Sequence, residues 1–225
     1  MIGPHVYGDN RRGLWVQEST NLTDKLAHYL PRLRGAIPNL TDVFLPPTAA
    51  WSHRDQVRAA GFFSHTWAAN HGRSAVALAD YALAAHKAQK AGALELNIEG
   101  ILDSNLASYV VTAVIRVRAS KPLLPLRINV VPFKGAYLPI PYIADDPNLY
   151  VIAQCYGGNM EALYAADEVL ADLTDYGLPA EKCSVMHAVM CEGPRGGARQ
   201  VVLPQIRNRG SFYIDDLLLD AGLLA

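Results

Sequence analysis

Apolar, β-branched and aromatic runs of five to eight residues recur along the chain, and most are followed by a stretch with helical spacing. The runs GLWVQES (13–19), TDVFLPP (41–47), FFSHTWAAN (62–70), ALELNIEG (93–100), LRINVVPF (126–133), LYVIAQCYG (149–157), KCSVMHAVM (182–190) and SFYIDDLLL (211–219) read as strands. Helical patterns lie between them. Residues 19–35 carry N-cap oxygens at Ser19 to Asn21 and a stop at Gly35. A short helix follows Ser52, and an Ala-rich one without proline covers 72–92, closed by Gly92. The spacing predicts another over 104–122, capped by Ser104 or Asn105 and stopped by Pro122, against the grain of its β-branched content. Residues 159–179 read as a strong helix, with Asn159 as cap, Gly177 past its end and Pro179 beyond. The connections at 134–148, with three prolines, and at 191–210 are irregular.

Eight strands alternating with helices in 225 residues imply an α/β fold, a single (β/α)8 TIM barrel over residues 1–225, with short or irregular connections after strands five and seven. A flat doubly wound sheet is the alternative. No glycine-rich dinucleotide or phosphate-loop motif follows any strand to support it.

Strand four holds the strongest functional signal. Glu95, Asn97 and Glu99 occupy alternate positions, so they share one face, while Leu94, Leu96 and Ile98 share the other. Polar groups on a buried face are costly unless they are paired or reach water. Glu95 and Asn97 therefore read either as a hydrogen-bonded layer inside the barrel, with Lys or Arg partners, or as the approach to a site. In such barrels the reactive groups stand at the carboxyl ends of the strands. Those ends offer Gln17 and Glu18; His65, Trp67 and Asn70; Asn97 and Glu99; Asn129 and Lys134; Gln154 and Tyr156; His187; and Asp215 and Asp216. Carboxylates, amides and aromatics of this kind suit sugars, whose hydroxyls bond amides and whose apolar faces stack on rings. Glu99 is the candidate general acid. Glu95, Glu18 and Asp216 are candidates for the second carboxylate that glycoside hydrolysis ordinarily needs, with Glu95 two layers below the rim and so the least suited. Asn97, Gln154, Tyr156, Trp67, His65 and His187 are candidate substrate-binding residues.

Composition narrows the partners. A net charge of −1 gives no nucleic-acid or anionic-membrane footprint. Cys155, Cys183 and Cys191 have neither metal spacing nor the even count of a disulfide framework. No metal or cofactor is expected. The start MIGPHVYGDNRRG lacks an apolar core, so no secretory signal is expected, and no run is long enough to span a membrane. Two minor chemistries remain open. One is a Cys155–His187 nucleophile pair, although Cys155 has the opposite parity from Gln154 and Tyr156. The other is a lyase or isomerase using Lys134 and His187, with GPRGG (193–197) as an anion loop.

The stretch GFFSHTWAANHGRSAVALADYALAAHKAQKAGALELNIEG resembles the middle of the barrel lysozymes of the muramidase type and of related glycoside-hydrolase-like barrels. In these, a strand and an Ala-rich helix lead to a strand ending in D-x-E. LYVIAQCYG is similar to their sixth strand, and GSFYIDD loosely to their last. The resemblance implies that Glu99 is the proton donor. It also implies an Asp where Asn97 stands, and another on strand one near Val16 or Gln17, where only Glu18 is acidic. An amide cannot serve as base, nucleophile or anionic stabiliser. The resemblance thus leaves two functions open: cleavage of a cell-wall polysaccharide by a rearranged set, or glycan binding without turnover. Degenerate barrels on phage tails are of the second kind. They imply other virion tail proteins as partners and a protein that is cytoplasmic at synthesis and virion-associated later, while a protein that stays cytosolic fits the same features equally well.

Overall fold

The computed structural model describes residues 12–16, 30, 31, 34, 40–49, 51–157, 162–187 and 210–213. Among these, eight parallel strands close a barrel: β1 (Arg12–Trp15), β2 (Leu40–Leu45), β3 (Phe63–Ala69), β4 (Leu94–Ile98), β5 (Leu126–Val130), β6 (Leu149–Gln154), β9 (Cys183–His187) and β10 (Gly210–Tyr213). They pair in that order, and β10 returns to β1 with Leu14 beside Phe212. The expected barrel is therefore the observed one, and the flat sheet is excluded. A two-residue antiparallel pair, β7 (Tyr156–Gly157) and β8 (Ala162–Leu163), lies outside the ring.

Alternation sorts the side chains into two cores. Leu94, Leu96, Ile98, Ile128, Val130, Val151 and Val185 point outward into the helix layer. Trp15, Phe44, Trp67, Ala69, Ile152 and Met186 fill the lumen. The helices α1 (Trp51–Ala59), α2 (Ala75–Gln89), α3 (Asp103–Ser120), α4 (Ile140–Asp145) and α5 (Ala166–Asp175) flank the strands. In α2 the small buried residues Ala75, Ala79 and Ala82 let the helix approach closely, and Ser74 Oγ accepts from the Ala77 N–H as its N-cap. The β-branched residues of α3 do not prevent a helix, because Val110, Val114 and Val117 fall on its buried stripe with Leu106 and Ala113. Packing outweighs an intrinsic penalty of tenths of a kcal/mol per residue.

Several boundaries differ from the sequence expectation. Gly92 does not close α2. Lys90, at φ 46°, takes the left-handed C-cap, and Gly92 instead lies against the His65 ring. The helix expected from 159 begins only at Ala166, after β8, although Gly177 does sit past its end at φ 93°. Strand six stops at Gln154, since Cys155 breaks it before β7. The proline-rich connection holds a 3-10 turn (Gly135–Tyr137) and the six-residue α4 rather than a plain loop. Helix α3 starts one residue earlier, at Asp103, without a side-chain cap. No helix among the described residues is long and apolar enough to cross a membrane.

Candidate active site

The lumen is polar along one wall. Trp67, Glu95, Arg127 and Tyr150 lie in register across β3 to β6, and Ala69, Asn97, Asn129 and Ile152 form the next row toward the mouth. Glu95 is fully buried, with one oxygen 3.2 Å from an Arg127 guanidinium nitrogen and the other accepting from Asn129 Nδ2 at 2.7 Å. The Arg127 guanidinium also rests 4.3 Å above the Phe44 ring. Glu95 and Asn97 thus belong to a paired internal layer, and Arg127 is the basic partner.

A chain of amides carries this layer up to Glu99. Gln154, the last residue of β6, places Nε2 3.3 Å from Asn129 Oδ1, 3.4 Å from Asn97 Oδ1 and 2.7 Å from Glu99 Oε1. Asn97 Nδ2 donates to the same Glu99 oxygen at 3.0 Å. Both donors converge on one carboxylate oxygen. Glu99 is exposed, whereas Asn97 and Gln154 are buried. The carboxylate therefore stands at the carboxyl-terminal mouth, gripped from below and open above.

The backbone of Glu99 is fixed as well. Asn70, the residue after β3, donates from Nδ2 to the Glu99 carbonyl at 2.7 Å and accepts the Glu99 N–H at 3.3 Å. Its own N–H donates to the Asn97 carbonyl. A side-chain amide here extends the β3–β4 ladder one residue past the end of both strands. Gly100 then turns away at φ 67°, a conformation that favours glycine.

The structure brings Glu99, Asn97 and Gln154 together; of the other described candidates, His65 and Trp67 lie deeper along β3, and Tyr156 lies past the end of β6 but is buried. His65 is fully buried toward the amino ends of the strands. Its Nε2 donates to Asp42 at 2.6 Å and its Nδ1 accepts the Ala93 N–H at 3.0 Å, so both nitrogens are occupied. Trp67 is 3% exposed, stacked on Trp15 at 3.7 Å, with Nε1 donating to the Val16 carbonyl. Tyr156 is also buried, its hydroxyl 3.5 Å from the Met186 sulfur. All three are buried. Cys155 faces the helix layer, and burial pushes its thiol up to about 12, which removes it as a nucleophile. His187 ends β9, with its side chain outside the description, and Glu18, Asp216 and the 193–197 loop lie outside the described residues. No group of three or more His, Cys, Asp or Glu among the described residues could hold a metal.

Sequence reasoning missed Arg127 and the clamp by Asn70. The parity of strand five, which puts Arg127 on the same face as Asn129, could have found the first.

Neither a protein-family model nor a curated protein matches the sequence. Solved structures do resemble the fold. A putative chitinase A from Streptomyces coelicolor superposes with a TM-score of 0.59 at 12% identity, over 94% of each chain. A spore cortex-lytic enzyme of Bacillus megaterium gives 0.55 at 13% identity, over 88% of this chain and 56% of the enzyme. A chitinase-like agglutinin from Robinia pseudoacacia gives 0.54 at 16%, over 78% of this chain and 69% of the agglutinin. At these identities the likeness is one of fold. The barrel is of the kind seen in chitinases and cortex-lytic enzymes, and the likeness by itself assigns no activity.

Proposed function

We propose that the chain engages a cell-wall polysaccharide at the mouth of its barrel as a glycoside-hydrolase-like protein, with Glu99 as general acid. The observation that carries this reading is the Glu99 carboxylate at the carboxyl end of β4, oriented by Asn97 and Gln154 with one side open. An acid so placed protonates the leaving glycosidic oxygen while the amides hold sugar hydroxyls. The substrate in this reading is the glycan strand of peptidoglycan, as the resemblance to muramidase-type barrels implies. Glu95 cannot be the second carboxylate, because it is buried and committed to Arg127. Glu18 or Asp216 fills that role. The test compares release of reducing ends from purified peptidoglycan by the wild type and Glu99→Gln. Loss of about 10²-fold or more is expected. Turnover undiminished by the substitution would remove Glu99 from the mechanism.

One observation favours a second reading. The residue two before Glu99 is an amide, and it donates to the Glu99 carboxylate instead of adding a negative charge beside it. A barrel of this kind binds a host glycan without cutting it, as a virion tail component would. Sedimentation with peptidoglycan sacculi, retained in both proteins with no reducing ends from either, would select this reading.

A further inference from the structure

A cavity of about 370 Å³ opens at the amino ends of β3 and β4, at the other end of these strands from Glu99. Its walls are Arg58 at the close of α1, the run from Gly61 to His65 that leads into β3, and Gly92 just before β4. The space is at the small end of the range for ligand pockets. Much of the wall is apolar. Phe62 is buried, and the His65 ring has both nitrogens taken, by Asp42 and by the Ala93 N–H. Catalysis in barrels of this kind sits at the carboxyl ends of the strands. The glycan reading therefore makes no use of this cavity.

The polar groups around it are donors. Arg58 gives Nε to the Ser64 hydroxyl at 3.2 Å and Nη2 to the Lys90 carbonyl at 2.8 Å. Arg34 gives Nη2 to the Gly61 carbonyl at 2.6 Å, and its guanidinium lies 4.3 Å above the Phe62 ring. All of these partners are neutral. Among the described residues, neither guanidinium is ion-paired with a carboxylate; Asp55, three residues before Arg58, pairs with Arg54 at 2.5 Å. Burial, and then the charge of Arg54, lowers the Arg58 pKa, with Asp55 acting against them. Ser64 is buried, and its own O–H has no acceptor among the described residues. Two cations without counter-charge and a spare hydroxyl proton, set against an apolar wall, call for an anion with a flat apolar body. A guanidinium grips a carboxylate through parallel N–H bonds, about twice as strong as neutral ones. A phosphate would bring more charge than a wall of this kind can solvate.

We infer that this amino-terminal cavity binds a small aromatic carboxylate, its ring against Phe62 and His65 and its carboxylate on Arg58 and Ser64, with Arg34 assisting from the rim. The inference stands apart from the glycan reading, since it uses no residue at the mouth. The experiment titrates the full chain with benzoate and follows backbone amides by heteronuclear NMR. Benzyl alcohol is the neutral counterpart, and acetate and inorganic phosphate are anions without a ring. Benzoate should give saturable shifts at Gly61, Ser64 and Gly92. Benzyl alcohol and acetate should each bind about tenfold more weakly or worse, the one lacking the charge and the other the ring. Arg58→Gln should weaken benzoate about tenfold, and Arg34→Gln about threefold. Arg34 is exposed, so its variant reads the charge even if Arg58→Gln fails to fold. Benzyl alcohol binding as tightly as benzoate would overturn the inference, because the arginines would then have no part. Phosphate or acetate matching benzoate would overturn it as well, leaving only adventitious attraction of anions to surface charge. So would shifts confined to other residues, no saturable shift at millimolar benzoate, or affinity unchanged in the arginine variants.

Discussion

Replacing Arg127 by Met tests the internal layer on which the mouth stands. Glu95 has no exposed surface, and its two described partners are the Arg127 guanidinium at 3.2 Å and Asn129 Nδ2 at 2.7 Å. Arg127→Met keeps most of the volume and removes the opposite charge. A buried carboxylate left with one amide donor costs about 3–5 kcal/mol, and the attraction of the guanidinium for the Phe44 face is lost as well. For a chain of this size that corresponds to roughly 6–20 °C in Tm. Urea denaturation followed by circular dichroism gives the free energy, provided the slope with denaturant is unchanged. The companion double variant Arg127→Met/Glu95→Gln removes the stranded charge and should recover about half the loss or more, because an isolated buried charge costs far more than a polar amide. If the single variant loses under 1 kcal/mol, or the double is no more stable than the single, the reasoning about a buried ion pair is wrong.

Other outcomes follow from the same geometry. Gly135→Ala should destabilise by about 1–3 kcal/mol, since the added carbon meets the Asp172 backbone and the Tyr176 ring; an unchanged Tm would mean the turn can shift freely. His86 is buried on α2, and burial, with Lys121 adding to it, pulls its pKa from 6.5 to about 4. The folded ring stays neutral while the unfolded chain takes up a proton, so stability is whole above pH 6.5 and declines by about 3 kcal/mol as pH falls toward 4. His86→Leu should lose that part of the pH dependence, and identical pH profiles for the two proteins would refute the assignment. Trp67→Ala should cost about 3–5 kcal/mol, as truncation of a buried aromatic does. A change in glycan affinity at unchanged stability would instead return Trp67 to the binding surface.

The barrel was legible because its strands alternate cleanly. The period-two pattern of strand four put Glu95, Asn97 and Glu99 on one face; the register sets Glu95 and Asn97 beside Arg127 and Asn129, and Asn97 bonds Glu99 just beyond the strand end. What parity cannot give is depth. His65, Trp67 and Glu99 all face inward, yet only Glu99 lies past the end of its strand, where water reaches it. His65 looked like a ligand because its partner Asp42 sits on the neighbouring strand, 23 positions earlier, and only the barrel brings them together. The first turns of the helix expected from 159 were misread for a different reason. Alanine, glutamate and leucine favour a helix, but Ala162 and Leu163 pair with Tyr156 and Gly157, and tertiary contacts override propensity. Asn70 was visible as an amide at a strand end, but its clamp on Glu99 was not, because the two residues lie 29 positions apart and only the barrel brings them together.

The amide nitrogen of Gln154 carries two protons and sits within reach of three oxygens, on Glu99, Asn97 and Asn129. Arithmetic leaves one of them short at every instant, and Asn97 Oδ1, at the longest separation, is the one served least. One planar amide thus couples the rim carboxylate to two residues of the layer below, so that a change at any of the three is felt by the others.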